Sequence, residues 1–281
     1  MSYKTILAHV SDPAAAAMQI PVAIALARQF DAHLIGAAAT GLSEEVYFPD
    51  SVGASVPILQ QTMHALVNQA EAQLTAFIAQ ARQGGVASVE PRLLHDEAGA
   101  GISLLARHCD LVVIGQMDPV AFAPFLRPDF PQHVVIESGR PVLIVPYAGH
   151  FEHVGKRIVL AWDGSREAAR AATAGIALMQ QAQLVQVVVF DRAGAASNHG
   201  KEPSADMALY LARHGIRVEV KYQEVPGGID IGNALLSHAA DFDADLIIMG
   251  GYGHPRFREI LLGGVTQTIL ASMTVPVLMS H

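Results

Sequence analysis

The sequence predicts an α/β protein made of two doubly wound domains, each with a five-stranded parallel sheet. Short apolar runs, typical of strands buried on both faces, alternate along the chain with longer helical patterns. The motif DLVVIGQMD at Asp110 returns as DLIIMGGYG at Asp245, 135 residues later, and Pro141 and Pro276 keep the same offset. This gapless spacing indicates duplication and fusion of one domain, rather than two unrelated units with similar strands.

The chain has 281 residues, enough for two domains, which we place at residues 1–148 and 155–281. KTILAHV at Lys4 resembles KRIVLAW at Lys156 with an offset of 152, so the first half is 17 residues longer before its fourth strand. Much of this excess falls in residues 40–58, which have no clear periodicity. We expect a surface loop there; a cap over a pocket, using Tyr47, Phe48 and Pro49, is the alternative.

Each half shows five apolar runs separated by helical patterns. The predicted strands of the first half are TILAHV, HLIGAAA, VEPRLL, LVVIG and PVLIVP; those of the second are RIVLAW, LVQVVVF, RVEVKYQEV, LIIMG and PVLMS. Asp12-Pro13 and Ser165 are helix-start signals after the first strand of each half. Parallel strands joined by right-handed helical crossovers predict a Rossmann-like arrangement, whose ligands lie beyond the carboxyl ends of the strands.

Composition restricts the function classes. The formal net charge is −8, from 18 Lys and Arg against 26 Asp and Glu, which disfavours nucleic acid and anionic membrane partners. No apolar run approaches the roughly 20 residues of a membrane span, and no secretory signal is visible. The one cysteine, Cys109, excludes an internal disulfide and is expected to be a small buried residue. These features favour a cytoplasmic protein.

Glycines after the strand LIIM form the pattern G-x2-G-x9-G with Gly250, Gly253 and Gly263, followed by Gly264 and Thr266. Glycines at a strand end let backbone amides approach a bulky anion. The second group opens a predicted helix, whose free N–H groups and dipole favour phosphate. Thr266 can donate a hydroxyl to a phosphate oxygen. Side chains with actual or potential positive charge lie within the motif: His254, Arg256 and Arg258.

This pattern resembles the universal stress protein family, whose nucleotide-binding members carry G-x2-G-x9-G followed by Ser or Thr. Gly264 departs from the family, since it occupies a position where Ser or Thr is usual. The resemblance extends over nearly the whole chain as two tandem copies and implies ATP, or AMP, in the second half, with or without Mg²⁺. Because the family pairs domains through the last strand, it also implies an intramolecular pseudo-dimer. The site residues implied are Ala161, Asp163, Val189, Met249, Gly250, Tyr252, Gly253, Gly263, Gly264, Val265 and Thr266.

The first half departs from the motif. At the 135-residue offset Gly115 is kept, but Asp118, Pro128, Asp129 and Pro131 replace Gly253, Gly263, Gly264 and Thr266. Prolines remove amide donors and aspartates repel phosphate. Ser11 or Asp12 stands near the position of Asp163. We expect one nucleotide per chain, in the second half only.

Three functions stay open. The first is a nucleotide-binding sensor or regulator of the stress response, not a dedicated catalyst. The second is a weak ATP-hydrolysing or phosphotransfer enzyme, for which Asp163 is the only acidic residue that can be placed near the site. The third is a nucleotide-free module binding a protein partner or a small apolar ligand. The 13 histidines are too scattered to predict a metal site. Trp162 could contact the ligand or pack in the core. Pairing of two chains into a homodimer stays open.

Overall fold

The computed structural model describes residues 2–11, 13–40, 56–120, 126–192, 203–226, 228–252 and 264–281. Most of the 40–58 insertion, with Tyr47, Phe48 and Pro49, lies outside these residues. The contacts divide the chain into two compact units, Tyr3–Arg140 and Pro141–His281. Both are α/β, which confirms the predicted fold class.

The first unit is a four-stranded parallel sheet in the order β3-β2-β1-β4. Strands alternate with helices along the chain, as predicted. The elements are β1 (Thr5–His9), α1 (Pro13–Phe30), β2 (His33–Ala39), α2 (Val56–Gln83), β3 (Val89–Leu94), α3 (Ala98–Ala106), β4 (Leu111–Gly115) and α4 (Phe130–Glu137).

The second unit has the strand order β5-β10-β9-β6-β7-β8, in which only β5 is antiparallel to its neighbour. The five-stranded parallel sheet predicted for the second half is therefore confirmed. Its elements are β5 (Val142–Val145), β6 (Arg157–Ala161), α5 (Arg166–Ala174), α6 (Ile176–Met179), β7 (Leu184–Arg192), α7 (Pro203–Arg213), β8 (Val218–Val225), α8 (Ile231–Asp241), β9 (Leu246–Gly250), α9 (Gly264–Ser272) and β10 (Val277–Ser280).

Strand β5 belongs to the first half by sequence but to the second unit by contacts. It pairs with β10 in the register Leu143↔Leu278, and all four of its residues are buried. This pairing covers an apolar strand edge that would otherwise attract another chain. The contact-defined unit therefore begins at Pro141 and the first unit keeps four strands, whereas the boundaries 1–148 and 155–281 stay a prediction about the duplicated segments.

The aspartate that opens the duplicated motif has a structural role in both units. The carboxylate of Asp110 accepts hydrogen bonds from the N–H groups of Lys4 and Thr5 at 2.7 and 3.0 Å. That of Asp245 accepts three from residues 155–157, at 2.9 to 3.1 Å. Each aspartate thus ties its strand to the start of the neighbouring one, at the amino edge of the sheet and away from the edge where ligands are expected.

Two helices begin where their predicted start signals lie in the sequence. Ser165 precedes α5, and its Oγ accepts the N–H of Ala168 at 3.1 Å. Helix α1 begins at Pro13, as predicted, while Asp12 lies outside the described residues. Within the described ranges, no helix is both long and apolar enough to cross a membrane.

Candidate functional site

The candidate site lies at the carboxyl edge of the second unit's sheet. Its strand order reverses between β9 and β6, because the chain winds outward to β7 and β8 on one side and to β10 on the other. Such a reversal leaves a crevice beyond the strand ends. The described site residues belong to β6, β7 and β9, to the turns that follow β6 and β9, and to the first turn of α9; Gly253 and Gly263 lie outside the described residues.

The turn after β6 presents an exposed carboxylate. Ala161 ends the strand, and the N–H of Trp162 donates to the carbonyl oxygen of Val188 at 2.9 Å. One oxygen of Asp163 accepts the N–H of Ser165 at 2.9 Å, which fixes the turn into α5. The side chain of Asp163 stays exposed, so it is available to a ligand or a metal ion.

Gly250, the last residue of β9, lacks a side chain for a packing reason. A Cβ there would lie 2.5 Å from the backbone nitrogen of Ala168 and 2.7 Å from the carbonyl carbon of Glu167. Backbone atoms cannot move aside as a flexible side chain does. The first turn of α5 can therefore pack directly against the end of β9 only because residue 250 is a glycine, whether or not a ligand binds.

Glu167 is an acidic residue at this edge that the sequence reasoning missed. Its side chain is only 6% exposed, and its Oε1 lies 3.5 Å from a guanidinium nitrogen of Arg166. Asp163 is thus not the only acid near the site. The sequence did contain a signal for Glu167. It lies two residues after the predicted cap Ser165, in the first turn of α5, where the positive end of the helix dipole interacts favourably with an acid.

Helix α9 begins at Gly264, which confirms the helix predicted after the second glycine group. Gly264 is exposed, and a Cβ there would meet no heavy atom of the described residues within 4 Å. Thr266, in the same turn, is 4% exposed. The first turn of a helix carries unpaired N–H groups and a partial positive charge, so this element suits an anion.

The side chains of Val189 and Met249 are buried in the sheet. The β6–β7 register ends at Ala161↔Val188, which makes Val189 the first β7 residue beyond it. On its other side Val189 pairs with Tyr222 of β8. Contact between Val189 and a ligand would therefore involve its backbone on the β6 side.

In the first unit, two aromatic rings occupy the corresponding edge. His9 ends β1 and Phe130 begins α4, with ring centroids 4.7 Å apart and exposures of 5% and 1%. Burial lowers the pKa of His9 to about 4, so its ring is neutral at pH 7. At the offsets of 152 and 135, their counterparts are the smaller Ala161 and Val265.

The acidic substitutions of the first unit are held within its own turns. Arg127 donates to both oxygens of Asp129, at 3.0 and 3.3 Å, and this contact lowers the pKa of that carboxyl. Asp118 accepts the N–H of Val120 at 2.8 Å. Both carboxylates lie where the second half has glycines. Arg127 offsets part of the charge of Asp129, whereas Asp118 accepts only a backbone N–H in the contact described.

Other predicted features have simple outcomes. Cys109 is buried, as predicted, and burial raises the pKa of its thiol to about 11. A thiol with this pKa is unreactive near neutral pH. Trp162 is half-buried. No group of three or more His, Cys, Asp or Glu residues suited to a metal ion occurs among the described residues. His254, Arg256 and Arg258 lie outside those residues.

Together, the strand order and the exposed start of α9 define a Rossmann-like α/β protein with a candidate anion site in its second unit. Residues 155–281 match the model of the universal stress protein family. This match confirms the resemblance drawn from the glycine motif of the second half.

Individual relatives extend the likeness. A universal stress protein of Synechocystis sp. is 25% identical over 175 residues, covering 60% of this chain and 57% of the relative, which is less than two thirds of its length. The structure of a universal stress protein from Archaeoglobus fulgidus DSM 4304 aligns over 98% of this chain and 95% of the other chain. The TM-score is 0.74 and the sequence identity is 15%. The structure of a protein of unknown function from Pseudomonas aeruginosa PAO1 aligns over 99% of this chain and 92% of the other chain, with a TM-score of 0.61 and 14% identity. The two structures show that the fold is shared.

Proposed function

We propose that this chain is a universal stress protein that binds one ATP in its second unit and acts as a sensor or regulator of the stress response. The observation that carries the proposal is the start of α9. Gly264 has no neighbour among the described residues that requires it to lack a side chain, whereas Gly250 does. The unpaired N–H groups of an exposed helix start attract a phosphate, and the open space around Gly264 among the described residues leaves them accessible to it.

The chemistry of the proposed site divides among its parts. The N–H groups at the start of α9 and the glycine turn after β9 receive the phosphates, and Thr266 adds a hydroxyl. Asp163 contacts the ribose or a Mg²⁺ ion that the nucleotide carries, since its carboxylate is exposed at the same edge. The backbone of Val189 meets the adenine.

The first unit is proposed to bind no nucleotide. His9 and Phe130 fill the edge where the second unit has Ala161 and Val265. Pro131 removes an N–H group from the first turn of α4, and Asp129 places a negative charge there. Each change opposes phosphate binding independently, so a single substitution would not restore it.

The test is calorimetric titration of the full chain with ATP, ADP and AMP, together with native mass spectrometry of ligand carried through purification. One ATP per chain is the expected result. Gly253→Asp should abolish binding and leave the melting temperature unchanged, because a carboxylate about 4 Å from a phosphate repels it by roughly 4 kcal/mol at an effective dielectric of about 20. Two equivalent sites, or binding undiminished in the variant, would overturn the proposal.

A further inference from the structure

The last two described residues hold both backbone polar groups of Gly251, the residue directly after β9. The N–H of Gly251 donates to the carbonyl oxygen of Ser280 at 2.9 Å. The imidazole Nδ1 of His281 lies 3.1 Å from the carbonyl oxygen of Gly251. Arg170 of α5 in turn donates from Nη1 to the backbone oxygen of His281 at 2.9 Å. Gly251 is therefore connected through His281 to the helix that packs against Gly250.

The chemistry of this contact fixes the role of the imidazole. A carbonyl oxygen only accepts hydrogen bonds, so Nδ1 of His281 must carry the proton. The neutral Nδ1–H tautomer and the imidazolium both meet this requirement, and the contact does not depend on the charge of the ring.

Holding the Gly251 carbonyl also orients the next peptide. In a planar trans peptide the C=O of one residue and the N–H of the next point in opposite directions. The contact with His281 thus sets the plane between Gly251 and Tyr252. Tyr252 has a φ of 59°, a left-handed conformation that is unfavourable for a residue with a side chain. Such a conformation persists where neighbouring contacts enforce it.

The first half indicates that the sheet itself does not require this contact. Pro146 corresponds to His281 at the offset of 135, and its side chain has no hydrogen-bond donor. Strand β5, which precedes Pro146, is nevertheless fully buried and paired. The donor is therefore specific to the half in which the glycine motif is intact.

We propose that His281 is a positioning residue for the nucleotide site: its Nδ1–H orients the Gly251–Tyr252 peptide and so sets the conformation in which the glycine turn enters the phosphate site. His281 acts through Gly251 and does not touch the ligand. The inference rests on the proposed function, since it concerns the affinity of that same site for ATP.

Three variants of the full chain separate the donor from the bulk of the ring. His281→Asn keeps an N–H at the position of Nδ1, His281→Gln moves it to the position of Nε2, and His281→Ala removes it. Each is titrated with ATP, with the exposed His153→Ala as the control. We expect the Ala and Gln variants to bind ATP about fivefold more weakly, the loss of one hydrogen bond, and the Asn variant and the control to bind as the wild type.

A second measurement, made without nucleotide, tests the contact between His281 and Gly251 itself. Hydrogen exchange of peptides covering residues 246–252 should be faster in the Ala and Gln variants and unchanged in the Asn variant. If the wild-type chain binds no ATP, the proposed function fails and this inference fails with it. If the wild type binds but the Ala variant binds equally well, or the Asn variant is as weak as the Ala variant, only the positioning role is overturned.

Discussion

Phe130 packs against the imidazole of His9 at the carboxyl edge of the first unit's sheet, with ring centroids 4.7 Å apart and planes inclined by 45°. The two residues come from the end of β1 and the start of α4, and the counterparts of these elements, β6 and α9, contribute residues to the candidate site of the second unit. Two bulky rings thus stand where the other half has alanine and valine. Aromatic rings thus occupy this position in the first unit, whereas the corresponding position of the second unit belongs to the candidate site.

Burial of His9 makes the stability of the first unit depend on pH. The unfolded chain binds a proton at His9 with a pKa near 6.5, whereas the pKa in the folded chain is about 4. Between these values the unfolded state binds more protons, so the free energy of unfolding falls as the pH falls. Above pH 6.5 the protonation of His9 does not lower the free energy of unfolding. At pH 4 it lowers the free energy of unfolding by about 3 kcal/mol.

The measurement is urea unfolding of the wild type and His9→Gln at pH 7.5, 6.0 and 5.0. Glutamine has no proton to gain in this range, so the difference in the free energy of unfolding between the two proteins should shift with pH in favour of the wild type at pH 7.5. Comparing the two proteins cancels the contributions of other titrating groups. One of these is His238, because burial also lowers its pKa. A difference that stays constant over the three pH values would contradict the prediction.

Local sequence signals predicted much of this structure. The apolar runs give the strands, because a strand buried on both faces must be apolar throughout. Ser165 marks the start of α5, because a cap acts on the residues next to it. The burial of Glu167 and the contact of His9 with Phe130 could not be predicted, since acids and histidines are usually exposed or intermediate, and only tertiary packing places these two inside.

The glycine motif shows the same division. The motif correctly predicted a helix opened by its second glycine group, but it did not distinguish glycines required by packing from glycines that packing does not require. Gly250 is of the first kind because α5 approaches β9 there, and the two elements are about 80 residues apart in sequence. The contact between Gly251 and His281 was missed for the same reason, as it joins the ends of two neighbouring strands.

Gly250→Ala and Gly264→Ala form a matched pair for stability. The added methyl at Gly250 would lie 2.5 Å from a backbone nitrogen, so α5 or β9 must shift, and overpacking of this kind costs about 1–3 kcal/mol. At Gly264 the methyl meets nothing within 4 Å among the described residues, and alanine favours the helix. Urea unfolding should show a loss for Gly250→Ala only; equal effects would contradict the packing role of Gly250.

Asp245→Ala tests whether the duplicated aspartate serves the fold alone. The carboxylate accepts three backbone hydrogen bonds at the amino edge of the sheet, and the variant should lose about 2–4 kcal/mol in its free energy of unfolding. ATP affinity, measured where the variant is still fully folded, should not change, because the candidate site lies at the opposite edge. A normal melting temperature with weakened ATP binding would place Asp245 in the site instead.

Gly264→Ser should strengthen ATP binding. The resemblance to the universal stress proteins predicts Ser or Thr at this position, and the space around Gly264 among the described residues accommodates a side chain. A serine hydroxyl at the first turn of α9 can donate to a phosphate oxygen, and a hydrogen bond to a charged group contributes about 1.5 kcal/mol or more, a tenfold gain in affinity. Gly264→Ala is the control, since it adds the same Cβ without the hydroxyl and should leave the affinity unchanged. Titration of both variants with ATP gives the comparison. If serine and alanine bind ATP equally well, the phosphates do not lie at the start of α9, and the site proposed for them is wrong.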